Sequence, residues 1–219
     1  MTITVELHCH TYISEDCLVR PRDLVRLCRQ RQIDRIAITD HNSIRGALEL
    51  RALAPDLTLV GEEIMTTQGE LLGYFLKEEV PAGLSPAETI ARLRAQDAAI
   101  SVSHPFDRLR RGHWQEADLL AILPLVDAIE VFNARCIYPA DNRRALDFAR
   151  EHGILGTVGS DAHSRREYGR AVHRMTRADS PADLLTGWRE GERVTRLSSP
   201  AIHLTSRYAK MWKRVTRQI

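Results

Sequence analysis

The sequence has no long apolar run; its apolar stretches are strand-length, far short of the roughly 20 consecutive residues that span a bilayer. The segment from Met1 to Glu6 has neither a basic region nor a hydrophobic one, so no secretory leader is expected. Cysteine is sparse: Cys9, Cys17, Cys28 and Cys136 form no CxxC pair and no regular framework. That excludes a disulfide scaffold and points to reduced thiols in a cytoplasmic setting. Lysine is nearly missing, with three (Lys77, Lys210, Lys213) among 31 basic residues, so the basic character belongs to arginine. An excess of one charge is missing too. A formal +2 implies no polyanionic partner by itself. Neither repeats nor low-complexity linkers interrupt the 219 residues, a length that one core can organise.

What is present is an alternation. β-rich runs occur at 2–7, 34–39, 57–62, 70–76, 99–103, 127–132 and 154–159, with helical patterns at about 22–31, 43–53, 86–97, 115–123 and 140–152 between most of them. Ser85-Pro86-Ala87-Glu88 has the form of a capping box, and Ser180-Pro181-Ala182-Asp183 is a weaker helix start. Strands alternating with helices predict a parallel sheet, open or closed. Residues 193–219 differ, with seven Lys or Arg and no acid. They read as a basic extension ending in a helix over about 203–217, docked on the 1–192 body through Leu204, Tyr208, Met211 and Val215. A surface for a phosphate-rich ligand is the sharper reading of the same residues.

Polar residues collect at the strand ends. His8 and His10 follow the first strand, Asp40 and His41 the second, and Glu62 and Glu63 close the third. His104 follows the run at 99–103, Asn133 the run at 127–132, and Asp161 and His163 the last. The carboxyl ends of parallel strands in a β/α barrel converge on one face. Five of the nine histidines stand there, which a shared site explains better than five separate structural roles. Residues two apart on extended chain face one side, so His8 can pair with His10, and Asp161 with His163. Imidazole with carboxylate suits Zn²⁺, Mn²⁺ or Fe²⁺. The ligands outnumber one tetrahedral ion, so two or three divalent ions bridged by a carboxylate are expected. Two ions roughly 3.5–4 Å apart can activate water and hold both oxygens of an in-line displacement.

The runs His8-Cys9-His10-Thr11, Thr39-Asp40-His41-Asn42, Gly61-Glu62-Glu63-Ile64, Ser103-His104-Pro105 and Gly159-Ser160-Asp161-Ala162-His163 resemble the successive motifs of the PHP (polymerase and histidinol phosphatase) superfamily. A lone HxH is weak evidence, but five motifs in order, over about residues 3–175, are specific. The resemblance implies a distorted seven-stranded (β/α) barrel and hydrolysis of a phosphoester by a hydroxide activated by metal. It implies that His8, His10, Glu63 and Asp161 hold one ion, and that Glu63 bridges to a second on His104. His41, His163 and Asp16 would hold a third, with Glu15 the rival to Asp16. The family's further histidine on the second ion is missing, which leaves Asn133, Glu130 or Glu70 to fill its place.

Asp40, Glu63, His104, Asp161 and His163 are the expected catalytic residues, Asp40 by orienting a ligand. Asn133, Arg135 and Arg165 are expected at the substrate; Arg20, Arg45, Arg108, Arg166 and Arg170 are weaker phosphate clamps. His113, His152, His173 and His203 read as surface or helix residues, and Trp114, Trp188 and Trp212 as packing residues. The expected partner is a small phosphorylated molecule such as a nucleotide, with no membrane. Nuclease action is the first rival. An amidohydrolase is the second, weakened because that class often bridges its metals with a carbamylated lysine and the barrel's sole lysine, Lys77, sits in a charged turn.

Overall fold

The computed structural model describes residues 2–110 and 112–216. All seven β-rich runs form strands: β1 (Ile3–Glu6), β2 (Arg35–Ile38), β3 (Thr58–Met65), β4 (Glu70–Tyr74), β5 (Ala99–Val102), β6 (Ala128–Asn133) and β7 (Leu155–Gly159). Helices α1 (Pro21–Arg31), α2 (Arg45–Leu53), α3 (Pro86–Arg94), α4 (Glu116–Ile122) and α5 (Pro139–Glu151) lie between them. Ser85 caps α3 in a complete capping box with Glu88. Two more strands, β8 (Ala171–Met175) and β9 (Glu192–Thr195), flank α6 (Pro181–Glu190), and α7 covers Ile202–Thr216. Arg217, where the expected tail helix ends, lies outside the described residues.

Among the described residues the sheet has nine strands, not the seven expected, in the order β7-β6-β5-β4-β3-β2-β1-β8-β9. It reaches past residue 192, since β9 ends at Thr195. It is also not all parallel. Thr66 to Gly69 turn tightly between β3 and β4, too short a connection for a parallel return, so β4 runs antiparallel to β3 and β5. The ends of the seven-strand run meet beyond β1 and β7. Asp161 N donates to His8 O at 2.7 Å, and His10 N donates to Ala162 O at 2.9 Å. Side chains seal the rest of this seam. Ser160 donates from its backbone and hydroxyl to the Glu6 carboxylate at 3.2 and 2.8 Å, and Val158 N donates to His173 Nε2 at 3.0 Å. His173 is thus a fully buried strand residue in the seam, not the surface or helix residue expected. The result is a mixed α/β fold with a nearly closed, barrel-like sheet.

One strand face grades from apolar to polar along the barrel. Leu59, Leu72, Tyr74, Ala99 and Ala128 form a buried floor with Leu184 and Trp188 of α6. Trp188 meets Tyr74 edge to face, ring centroids 5.8 Å apart. Period two then carries the same face up to Glu63, Glu70, Ser103 and Glu130 at the other end. Truncating Leu72, which is fully buried, to alanine would cost roughly 2–5 kcal/mol. The floor fixes the strands, and the strands fix the carboxylates above it. Among the described residues no helix is long and apolar enough to cross a membrane.

Candidate metal centre

Glu63, buried at the end of β3, stands at the middle of the polar end. Its Oε1 lies 3.3 Å from His8 Nε2 and 3.0 Å from His104 Nε2; its Oε2 lies 2.9 Å from His41 Nδ1 and 3.4 Å from His10 Nε2. Asp161 Oδ1 is 3.2 Å from His10 Nε2 and 3.4 Å from His163 Nδ1. Asp16 Oδ1 is 3.1 Å from His163 Nε2 and 3.9 Å from His41 Nε2. Glu15 instead pairs with Lys210 outside. Glu70 Oε2 lies 3.4 Å from His104 Nε2, in the place the sequence left open among three candidates. Glu130 takes another part: it accepts from His104 N and Asn133 Nδ2, and its Oε1 is 2.9 Å from His8 Nδ1, which sets that ring's orientation.

Support extends one layer back. Asp40 does not reach the centre; it is buried and accepts from Thr11 N at 2.6 Å and Ser14 Oγ at 2.7 Å. Ser14 Oγ lies 3.1 Å from His10 Nδ1, so Asp40 acts on His10 through Ser14 rather than on the reacting atoms. Gly46 lets this packing form, because a Cβ there would collide with the Asp40 carboxylate and the Thr11 hydroxyl. Gly159 likewise leaves room for Glu130 and His8. His104 (φ 23°) and Asp161 (φ 51°) sit in left-handed backbone, a strained conformation that persists where surrounding structure enforces it, as at functional sites.

The residues expected at the substrate divide. Asn133 Nδ2 donates to Asp161 Oδ2 at 3.2 Å and lines the centre. Arg135 is buried: its guanidinium faces Glu167 at 3.3 Å, and it donates to Ser206 Oγ at 2.8 Å and Asp161 O at 3.4 Å. Buried among these partners, it opens little surface to a ligand. Arg165 points away, to Asp23 at 2.7 Å, and Arg108 pairs with Asp141. Among the described residues, the arginine side chain on the Asp161 carboxylate is Arg110, against Oδ2 and part-exposed. It follows a strand by eight residues, so no strand-end rule finds it. Lys77 pairs with Asp97 in solvent, and among the described residues no lysine joins the carboxylates.

The donor set fits divalent cations. His8 Nε2, His10 Nε2, Asp16 Oδ1, Glu63 Oε2, Asp161 Oδ1 and His163 Nε2 are buried with no hydrogen-bond partner, and they face one another. Buried polar atoms are ordinarily satisfied, so six convergent orphans outline places for cations. Three overlapping sets each bring their ligand atoms within 4.8 Å: His8-His10-Glu63, His10-His41-His163 and His41-Glu63-Glu70. The protonation states divide. Against burial, the neighbouring carboxylates, Glu63 among them, raise His8, His41 and His104, so those rings favour a proton that a bound cation would have to displace. The carboxylates and His10 are in the form ligation needs. Burial opposes ionisation of Glu63, but His8 and His41 hold its carboxyl well below the usual range. Asp161 is held down against burial by Arg110 and His8. Burial, with His163 and His41 alongside, depresses His10 so that it stays neutral. Ionised carboxylates and a neutral imidazole are what ligation requires.

The α7 helix lies against this end of the barrel. Lys213 Nζ, buried, donates to the carbonyls of Tyr12 and Ser14 in the loop that carries Asp16. The expected docking contacts are reversed. Ser206, Ala209 and Lys213 face inward, while Leu204, Tyr208, Met211 and Val215 are more than half exposed, and Trp212 is exposed too.

Comparison with known proteins agrees with this geometry. The PHP domain model matches residues 6–73 and the PHP-associated model residues 139–192. An uncharacterized Methanocaldococcus jannaschii protein, MJ0417, is 36% identical over 186 residues, 82% of this chain and 74% of that protein. Among solved structures, a two-domain Bacteroides vulgatus protein containing a predicted PHP-like metal-dependent phosphoesterase superposes with a TM-score of 0.73 at 19% identity. The match covers 90% of this chain and 65% of that one, so the chain spans under two thirds of its length. A lesion-specific endonuclease from Pyrococcus furiosus aligns over 89% of this chain and 57% of its own, with a TM-score of 0.59 at 14% identity. At such identities the solved structures speak to the fold alone; the domain matches and the archaeal relative establish that the chain belongs to the PHP family.

Proposed function

We propose that the protein is a metal-dependent phosphoesterase acting on a small phosphomonoester or nucleotide in the cytoplasm. The observation that carries this reading is the cluster of six orphaned, buried ligand atoms, on His8, His10, Asp16, Glu63, Asp161 and His163, at one end of the barrel. His8, His10, Glu63 and Asp161 would hold one ion, His104 and Glu70 with Glu63 a second, and His41, His163 and Asp16 a third. Zn²⁺, Mn²⁺ or Fe²⁺ suits such mixed N/O ligation. When bound, such ions lower the pKa of water toward neutrality and absorb charge on the phosphoryl oxygens. The chain's own residues do the positioning. Glu130 fixes His8, Asp40 fixes His10 through Ser14, and Asn133 holds one oxygen of Asp161. Arg110, part-exposed at the centre on Asp161 Oδ2, would be the arginine best placed to meet a phosphoryl oxygen of a bound substrate.

The test is phosphate release from phosphomonoesters, nucleotides and short oligonucleotides, with protein reloaded with Mn²⁺ beside Asp161→Ala. Turnover on monoesters that is lost in the variant supports the reading; silence across the panel with metal bound refutes it. Phosphodiester cleavage is the second reading, favoured by basic α7 beside the site. It predicts turnover on oligonucleotides that falls steeply with salt.

A further inference from the structure

The α7 helix is amphipathic in the reverse sense. It turns its small and polar face to the barrel and its large apolar face to solvent. Leu204, Tyr208, Met211 and Val215 fall at i, i+4, i+7 and i+11, one stripe of an α-helix, with Trp212 on its edge. Their exposures run from 46% for Trp212 to 77% for Val215. Scattered exposed apolar residues are ordinary, but a contiguous stripe of five on one helix marks a contact surface. Arg207 and Arg214, both exposed, lie seven residues apart along one flank. No acidic residue occurs from Arg193 to the end of the chain.

That charge pattern selects the occupant. Antiparallel pairing with a second copy would set Arg207 and Arg214 against the same residues of the other copy, with no carboxylate on the helix to relieve them. An anionic lipid surface meets both features: acyl chains take the apolar stripe and headgroup phosphates take the arginines. We infer that the outward face of α7 seats on an anionic lipid surface. The placement has a consequence for the site. Lys213 is hydrogen-bonded to the loop bearing Asp16, and Ser206 to Arg135 behind Asp161, so α7 lies on the ligand-bearing end of the barrel. Seating the stripe brings that end to the surface without a spanning segment.

The experiment uses the full-length, metal-loaded protein and sedimentation with vesicles of phosphatidylcholine alone or mixed with phosphatidylglycerol in about equal parts. Binding to the mixed vesicles only is expected. Joint replacement Leu204→Ser, Met211→Ser and Val215→Ser should abolish it. Arg207→Glu with Arg214→Glu should weaken it by about thirty-fold or more, at roughly 1 kcal/mol per basic residue at the surface. All five positions are exposed, and unchanged circular dichroism and metal content show that each variant is folded. No binding to the mixed vesicles overturns the inference. So does equal binding to neutral vesicles that the charge reversal leaves intact. A dimer in sedimentation velocity that the serine variant dissolves, without vesicle binding, assigns the stripe to a second copy instead.

Discussion

His173 ties acid stability to the closure of the barrel. Its ring is fully buried on β8, and Nε2 accepts a hydrogen bond from Val158 N at 3.0 Å, where β7 lacks a full backbone partner. To accept there the ring must be neutral. Burial first, then the neighbouring Arg193, pushes its pKa down to about 3 from an ordinary 6.5. A histidine depressed in the folded state gives up its proton there while the unfolded chain still holds one. Its contribution is therefore complete above pH 6.5 and is lost progressively as pH falls toward 3. At 1.36 kcal/mol per unit, the loss is about 2 kcal/mol at pH 5 and about 3 kcal/mol at pH 4. Urea unfolding from pH 8 to 4 measures it, with wild type compared with His173→Gln at matched metal content. The glutamine carbonyl can take the Val158 N–H and does not titrate. Wild type should lose about 2 kcal/mol more than the variant between pH 8 and 5. Parallel curves would mean that the ring is not a neutral acceptor in the seam, and the reasoning would fail.

Other tests address the centre. Glu70→Gln should lower bound Mn²⁺ by about one equivalent while leaving secondary structure intact; unchanged metal content would remove Glu70 from the ligand set. Lys213→Met leaves the Tyr12 and Ser14 carbonyls without their donor, and should weaken the ion nearest Asp16 by about 10–100-fold. An identical metal titration curve would count against that coupling. Adding metal at about 100 times its Kd should raise stability by about 2.7 kcal/mol per site, seen as a higher Tm. An unmoved Tm would argue that the orphaned atoms bind no ion. Arg135→Ala should destabilise the fold by roughly 3 kcal/mol, because it strands buried Glu167, with KM nearly unchanged. A raised KM on a stable variant would return Arg135 to the substrate.

The seven strand runs were legible because each is a short apolar stretch ending in polar residues. The strand-end rule also gathers His8, His10, His41, Glu63, His104 and Asp161 from the sequence alone. It could not place Glu70, whose residue opens its strand; only the reversed direction of β4 brings that end to the centre. Arg110 was hidden for a related reason, since a loop, not a strand, delivers it. The short, mostly exposed β9 lacked the apolar pattern of a core strand. In β8, His173 and Arg174 broke the apolar run. The tail was misread through the ordinary assumption that an amphipathic helix buries its apolar face. Here the buried contacts are made by Ser206, Ala209 and Lys213, which no hydrophobicity pattern selects.

The contact between His8 and Asp161 also sets an order of events during synthesis. The first motif leaves the ribosome more than 150 residues before the last, and Glu6 must wait equally long for Ser160. Such distant contacts form slowly, because a large loop must close before it is rewarded. Until Asp161 and His163 emerge, the nascent chain offers only part of a ligand set, and the loop bearing Asp16 has no Lys213 to brace it. Metal loading would thus be a late step, completed as α7 docks. A ribosome-stalled chain ending near residue 150 should hold the early histidines yet retain little metal.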